Sequence, residues 1–230
     1  MNIIKLDWDS DFFGYTIGRV DVKSPGAFDF PKFKKNAALY RLVYLFSDQK
    51  IESSKVQLVD TKLTFSKQLE HANLDENSKV SIFLKGKDDF KKIEKLALQS
   101  GKYSRFKIDL NFKKNEYELL YKKWIRNSIY EEKAIEVAIF KDSQEILGFF
   151  TLEKKSDSLC DISLVAVDQN ARGKKIGTKL INFAISQGVK KGFKDIQVVT
   201  QLENLPAKNL YEKCGFKICK TEYIYHYWNL

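Results

Sequence analysis

Apolar positions along this chain fall on two different periods, and the change between them marks its elements. In the first third, Phe12–Val22, Tyr40–Phe46, Val56–Phe65 and Val80–Lys85 are rich in aromatic and β-branched residues and predict strands. The segment "SPGAFDFP" between the first two predicts a loop. From Asp88 the period lengthens. Phe90, Ile93 and Ala97 recur at helical intervals behind Asp88 and Asp89, with Gly101 as the expected stop. Tyr117, Leu120, Tyr121, Trp124 and Ile125 then stand at i, i+3, i+4, i+7 and i+8, the apolar face of an amphipathic helix.

Three short runs follow: Ala134–Phe140, Ile146–Glu153 and Leu159–Val167. The polar turns "KDSQE" and "KKSDS" join them, so they predict an antiparallel meander. A helix is expected from Ile176 to Lys191, closed by Gly192, with Ile176, Leu180, Phe183 and Ala184 on its packed side. Asp195–Thr200 predicts a strand. The next helix has Asn204 as N-cap, Pro206 in its first turn and Gly215 beyond its end. Alternating aromatics in "FKICKTEYIYHYW" predict one or two closing strands. The strand after the helical crossover should lie parallel to the last strand of the meander. The expected class is therefore α/β, a mixed, mainly antiparallel central sheet flanked by helices.

Composition narrows the setting. The chain has 230 residues, 43% apolar and 30% charged, which suits a globular protein with a sizeable core. No apolar run approaches the roughly 20 residues of a membrane span, and the N-terminus shows no signal-peptide pattern. Three cysteines without a CxxC pair and two histidines argue against a zinc site, and no metal is expected. Cys160, Cys214 and Cys219 are expected to be buried thiols, and His71 and His226 structural side chains. A cytoplasmic location follows as the default. The net charge is +10, from 40 basic and 30 acidic residues. Most lysines are scattered over helix faces, but Ala171–Lys194 holds seven basic residues (Arg172, Lys174, Lys175, Lys179, Lys190, Lys191 and Lys194) and no acidic one.

That run begins in a turn, Arg172-Gly173-Lys174-Lys175-Ile176-Gly177, between an apolar strand and an apolar helix. Glycines and cations at a helix start suit an anion, phosphate above all. It is not a P-loop, because Thr178 stands five residues beyond Gly173 where glycine is required. Nor is it a dinucleotide fingerprint, since Lys175 stands two residues beyond Gly173. The turn resembles the acetyl-CoA loop of the GNAT superfamily of N-acetyltransferases: Arg or Gln, two residues, Gly, one residue, then Gly or Ala. Lys175 departs from it where the family usually has glycine. A second match follows: Asn204, Ala207 and Tyr211 in the next helix, then Cys214-Gly215-Phe216. Further stretches, "LDWDSDFFG", "LVDTKLTF", "SGKYSRFKID" and "VVTQLEN", are similar to the branch that acetylates TDP-4-amino-4,6-dideoxyhexoses.

The resemblance implies a GNAT fold at residues 101–230, with 1–100 as a strand-rich substrate module. It implies acetyl-CoA as co-substrate, a nucleotide-linked amino sugar as acceptor, and no nucleic-acid or membrane partner; a homodimer is left open. Backbone groups of Leu164, Val165 and Val167 would meet the pantetheine arm. Arg172, Gly173, Lys174, Lys175, Ile176 and Gly177 would hold the pyrophosphate, and Asn204 would contact CoA while also capping its helix. Tyr211 would protonate the departing thiolate. Trp8, Phe12, Phe13 and Tyr15 either line a sugar or base pocket or form N-terminal core, with Trp8 and Phe13 the candidate substrate contacts. Asp60, Asp161, Asp7 and Asp9 are all candidates for the base, with none preferred; Asp60 is also a candidate substrate contact. The rival readings are acetylation of a protein N-terminus, a basic nucleic-acid-binding module, and a CoA-binding protein without turnover.

Overall fold

A computed structural model describes residues 1–69, 79–113 and 115–229. His71 lies outside them. The strands are β1 (Ile4–Lys5), β2 (Ile17–Asp21), β3 (Leu42–Ser47), β4 (Gln57–Gln68) and β5 (Val80–Ile82), then β6 (Glu136–Asp142), β7 (Glu145–Lys154), β8 (Leu159–Val167), β9 (Asp195–Gln201) and β10 (Lys217–Trp228). They form one sheet in the order β1-β2-β3-β10-β4-β9-β8-β7-β6-β5. The β2–β3 and β8–β9 pairs are parallel and the others antiparallel. The mixed, mainly antiparallel sheet and the parallel crossover are as expected. β4 lies between β10 and β9, so the sheet runs unbroken through both halves of the chain.

The helices are α1 (Asp7–Phe13), α2 (Phe30–Ala37), α3 (Phe90–Ser100), α4 (Arg105–Ile108), α5 (Glu116–Tyr130), α6 (Ile176–Lys190) and α7 (Leu205–Lys213). Strand alternation sends successive side chains to opposite faces of the sheet. Cys160 and Ile162 of β8 pack with α6 and α7 on one face. Leu164 and Ala166, past a bulge in the β7–β8 register, pack with α3 and α5 on the other. A third cluster seats Phe33 and Ala37 of α2 against Val43, Leu45, Tyr225 and Tyr227. Among the described residues no helix is long and apolar enough to cross a membrane.

The structure adjusts the local expectations at four places. Phe12 and Phe13 end helix α1 rather than beginning a strand, because Gly14 at φ +76° closes a helical turn. The expected loop ends two residues early, at Asp29, and α2 follows: Asp29 is its N-cap and accepts from Lys32 N–H at 3.0 Å, and Pro31 sits in the first turn, where its missing donor costs nothing. Gly101 does follow the last residue of α3, but as a C-cap at φ −83° and not in the left-handed region. Its side chain is absent for packing reasons: a Cβ there would lie 2.5 Å from the Tyr117 hydroxyl and from Cζ of Tyr121. Cys160 and Cys214 are buried, but Cys219 is exposed near an irregularity of β10.

Candidate active site

The parallel β8–β9 ladder runs only from Leu159–Asp195 to Ile162–Val198. β8 continues to Val167 against β7, and β9 continues to Gln201 against β4. The two strands therefore part, leaving their facing backbone edges without a strand partner over the last residues. Unpaired peptide groups in mid-sheet are costly unless water or a ligand meets them. This is a slot for an extended, amide-bearing chain. Leu164, Val165 and Val167 lie along it. The N–H of Leu164 is taken, donating to Oγ1 of Thr151 at 3.0 Å, so an oxyanion would draw on another amide of this edge.

The basic turn stands at the end of β8. Gly173 has φ +81° with nothing within 4 Å of a hypothetical Cβ, and Lys175 has φ +59°. Two left-handed residues so close together turn successive amides toward one side, the arrangement that cradles anions. Lys175 is the N-cap of α6 and makes no side-chain cap; the first turn of α6, which includes Ile176 and Gly177, has no acidic residue. The leading amides of a fifteen-residue helix are thus uncapped by any side chain. Gly177 has a further role: a Cβ would meet Cδ2 of Leu210 at 2.9 Å, so its absence lets α6 and α7 approach. Arg172 folds back, its Nε 3.4 Å from the carbonyl of Val167. Lys174 lines a neighbouring cavity of about 800 Å³ with Lys92, Asp142 and Asp168. These residues fit a CoA pyrophosphate: donors and positive charge, with no competing cap.

Asn204 caps α7 through Ala207 N–H at 3.4 Å and donates to Oγ1 of Thr200 at 3.0 Å, tying α7 to the end of β9. Tyr211 is 3% exposed and packs edge-on to Phe65 with ring centroids 5.6 Å apart. Burial first, then Asp161 and Cys214, push its hydroxyl above the usual phenol range. The hydroxyl therefore stays protonated.

Across the sheet, on the α5 side, a second group of polar residues is buried. Asp60 on β4 is 8% exposed, and its Oδ1 has no hydrogen-bond partner. Burial raises its pKa to about 7; Arg105, Lys62 and Gln201 pull it down and Glu203 pushes it up. Tyr121, which feels both Asp60 and Arg105, is raised by burial to about 12 and stays protonated. Asp161 on β8 is also buried, with Oδ1 unpartnered and Lys155 3.5 Å from Oδ2; burial raises its pKa. Asp7 is exposed and paired with Lys5 at 2.9 Å. Asp9 is held up by burial and drawn down by Arg105.

Trp8 is 44% exposed and stacks on Phe12 at 5.4 Å. Phe13 is 6% exposed and packed against Phe112 (5.2 Å) and Phe106 (5.9 Å), which places it in the core behind this region. Arg105 escaped the sequence reading of the site. Its only signal lay in the "SGKYSRFKID" stretch.

Relatives bear on this geometry. The model of the Acetyltransferase (GNAT) family matches residues 102–216. The chain is 29% identical over 140 residues to the spore coat polysaccharide biosynthesis protein SpsD of Bacillus subtilis, covering 61% of this chain and 48% of that protein. It is 36% identical over 75 residues to a streptothricin acetyltransferase of Escherichia coli, covering 33% and 43%. The chain thus spans about half the length of these curated relatives. In fold it matches a functionally unknown conserved protein from Staphylococcus epidermidis, with a TM-score of 0.68 and 11% identity over 94% of this chain and 85% of that one. It also matches the tandem GNAT protein of the clavulanic acid pathway, with a TM-score of 0.53 and 10% identity over 91% and 74%. With a family match over half its length, a parted β8–β9 pair and an uncapped basic turn beside it, the chain belongs to the GNAT acetyltransferase family.

Proposed function

We propose that this chain transfers the acetyl group of acetyl-CoA to the 4-amine of a nucleotide-linked 4-amino-4,6-dideoxyhexose, with TDP as the preferred carrier. The observation that carries the reading is one gap in the sheet flanked by two unlike sites. An uncapped cationic turn lies at the end of β8, and a buried carboxylate with one unpartnered oxygen, Asp60, lies on β4. The first suits a pyrophosphate and the second an amine. The name of the Bacillus subtilis relative agrees with a saccharide acceptor.

When bound, acetyl-CoA supplies an activated acetyl thioester. Residues 172–177 and Asn204 hold it, and the free edge of β8 at Leu164–Val167 aligns it. Asp60 orients the acceptor amine and takes a proton from it as the new C–N bond forms. Tyr211 gives its phenolic proton to the sulfur as the C–S bond breaks. In this reading residues 1–100 contribute Asp60 and Trp8 to the acceptor side, and the CoA side comes from residues 101–230.

The test is thiol release from acetyl-CoA with TDP-4-amino-4,6-dideoxyglucose, its galactose epimer, the UDP equivalents and a peptide amine. Turnover confined to a nucleotide amino sugar supports the reading. Turnover with the peptide alone overturns it.

A further inference from the structure

Arg105 is built into the molecule in an unusual way. Its guanidinium lies 4.0 Å over the Tyr44 ring and 4.5 Å over Phe106. Among the described residues it makes one hydrogen bond, from Nη1 to Nε2 of His226 at 3.3 Å. That imidazole is fully buried, and its Nδ1 lies 2.6 Å from Oδ2 of Asp109, also fully buried. Trp228 Nε1 donates to the same oxygen at 2.7 Å. Burial would raise the Asp109 pKa, but the bonds from His226, Trp228 and Asn111 outweigh it and hold the acid at about 2. Asp109 is therefore an acceptor, the proton of the ring sits on Nδ1, and Nε2 offers its lone pair to Arg105.

A buried carboxylate and an imidazole thus fix an arginine that has no carboxylate within salt-bridge distance among the described residues. A guanidinium has five N–H donors, and among the described residues only one is used. Held by aromatic rings and one neutral acceptor, it keeps its charge and its fork free for an incoming anion. A second guanidinium, Arg19, lies 3.9 Å over Phe46, the ring that Arg105 approaches at 5.7 Å. Arg105 is also within electrostatic reach of Asp60.

We infer that Arg105 is the docking point for a phosphate of the acceptor, held in place by Asp109 and His226, so that the acceptor binds with its anion on Arg105 and its amine toward Asp60. Planar, bidentate pairing is what arginine offers a phosphate and lysine does not. An acceptor carrying both groups is selected over a simple amine. This deepens the nucleotide-sugar reading above and rests on it. Asp109 and His226 are positioning residues, since neither reaches the acceptor.

The experiment titrates TDP into the protein already saturated with CoA, so that the basic turn is filled, and follows tryptophan fluorescence. Thymidine without phosphates is the control. Wild-type protein should bind TDP, and Arg105→Gln should weaken it at least tenfold while CoA affinity and melting temperature hold. Arg105→Lys keeps the charge but loses the planar fork. It should fold, and should raise KM for the amino-sugar acceptor severalfold with kcat and the KM for acetyl-CoA unchanged. His226→Asn should shift the same KM in the same direction. TDP affinity indifferent to both Arg105 variants overturns the inference, whatever the acceptor. TDP binding that depends on Arg105, without acetylation of any nucleotide amino sugar, leaves the phosphate site standing and sinks the sugar. Amino-sugar turnover without TDP binding sinks the phosphate site and leaves the sugar.

Discussion

At the scale of single residues, the account turns on two protons. Asp60 is a base only when ionised, so kcat/KM should rise with pH through about 7 and then level. Burial chiefly sets that midpoint, and the charged groups facing Asp60 adjust it: Arg105 and Lys62 lower it, and Glu203 raises it. Asp60→Asn should abolish this limb and cost on the order of 10²-fold in kcat. The same shift has a stability side. A folded-state pKa raised above the unfolded one means that the stability contributed by neutral Asp60 is present at low pH and lost as pH rises through about 7. Asp60→Asn should therefore melt above wild type at about pH 8 and lose that advantage toward about pH 4, as thermal scans would show. Tyr211→Phe should lower kcat on the order of 10²-fold with little change in the KM for acetyl-CoA; an equal loss of melting temperature would assign it to the core instead. Lys175 occupies left-handed backbone at φ +59°. Lys175→Gly should raise stability by about 1 kcal/mol in denaturant unfolding. The turn and Tyr211 were legible because their signals are local. Arg105 was not, because its partner His226 lies 121 residues away.

At the scale of elements, the parting of β8 and β9 is the feature that makes a site. The amides of Val165 and Val167, which face away from β7, and those of 173–177 should exchange hydrogen faster than those of the paired stretch 159–162, and should become protected when CoA is added. Unchanged exchange would mean that the gap is not where CoA lies. The meander, α6 and α7 could be read from the chain because each carries an unbroken apolar period with a glycine or asparagine at its end. The short helices were hidden. α1 buries only Ser10 and Phe13, and its aromatic residues carry strand propensity; α2 hides behind a proline that is harmless in a first helical turn. The gap itself has no sequence signal, since the apolar residues of β8 run on past Ile162 through Leu164–Val167 as they would in a fully paired strand.

At the scale of the whole molecule, β4 is the structural link between the two halves. It brings Asp60 into the sheet beside β9 while belonging to the first hundred residues. Removing residues 1–100 would strip the partner from both β9 and β10 and expose Phe65's neighbours in the core. The fragment 101–230 should therefore show no cooperative thermal unfolding, and CoA binding by a stable fragment would argue for two independent units. The class of fold was legible from the alternation of periods, but the insertion of β4 was not, because strand order depends on pairings that local propensity does not encode. The most direct test of the central claim is to incubate the protein with isotopically labelled acetyl-CoA and a TDP-4-amino-4,6-dideoxyhexose, and to locate the label by NMR. The account predicts a labelled amide on the 4-nitrogen of the sugar. Labelled acetyl-CoA that is bound, yet never yields a sugar amide, would contradict it.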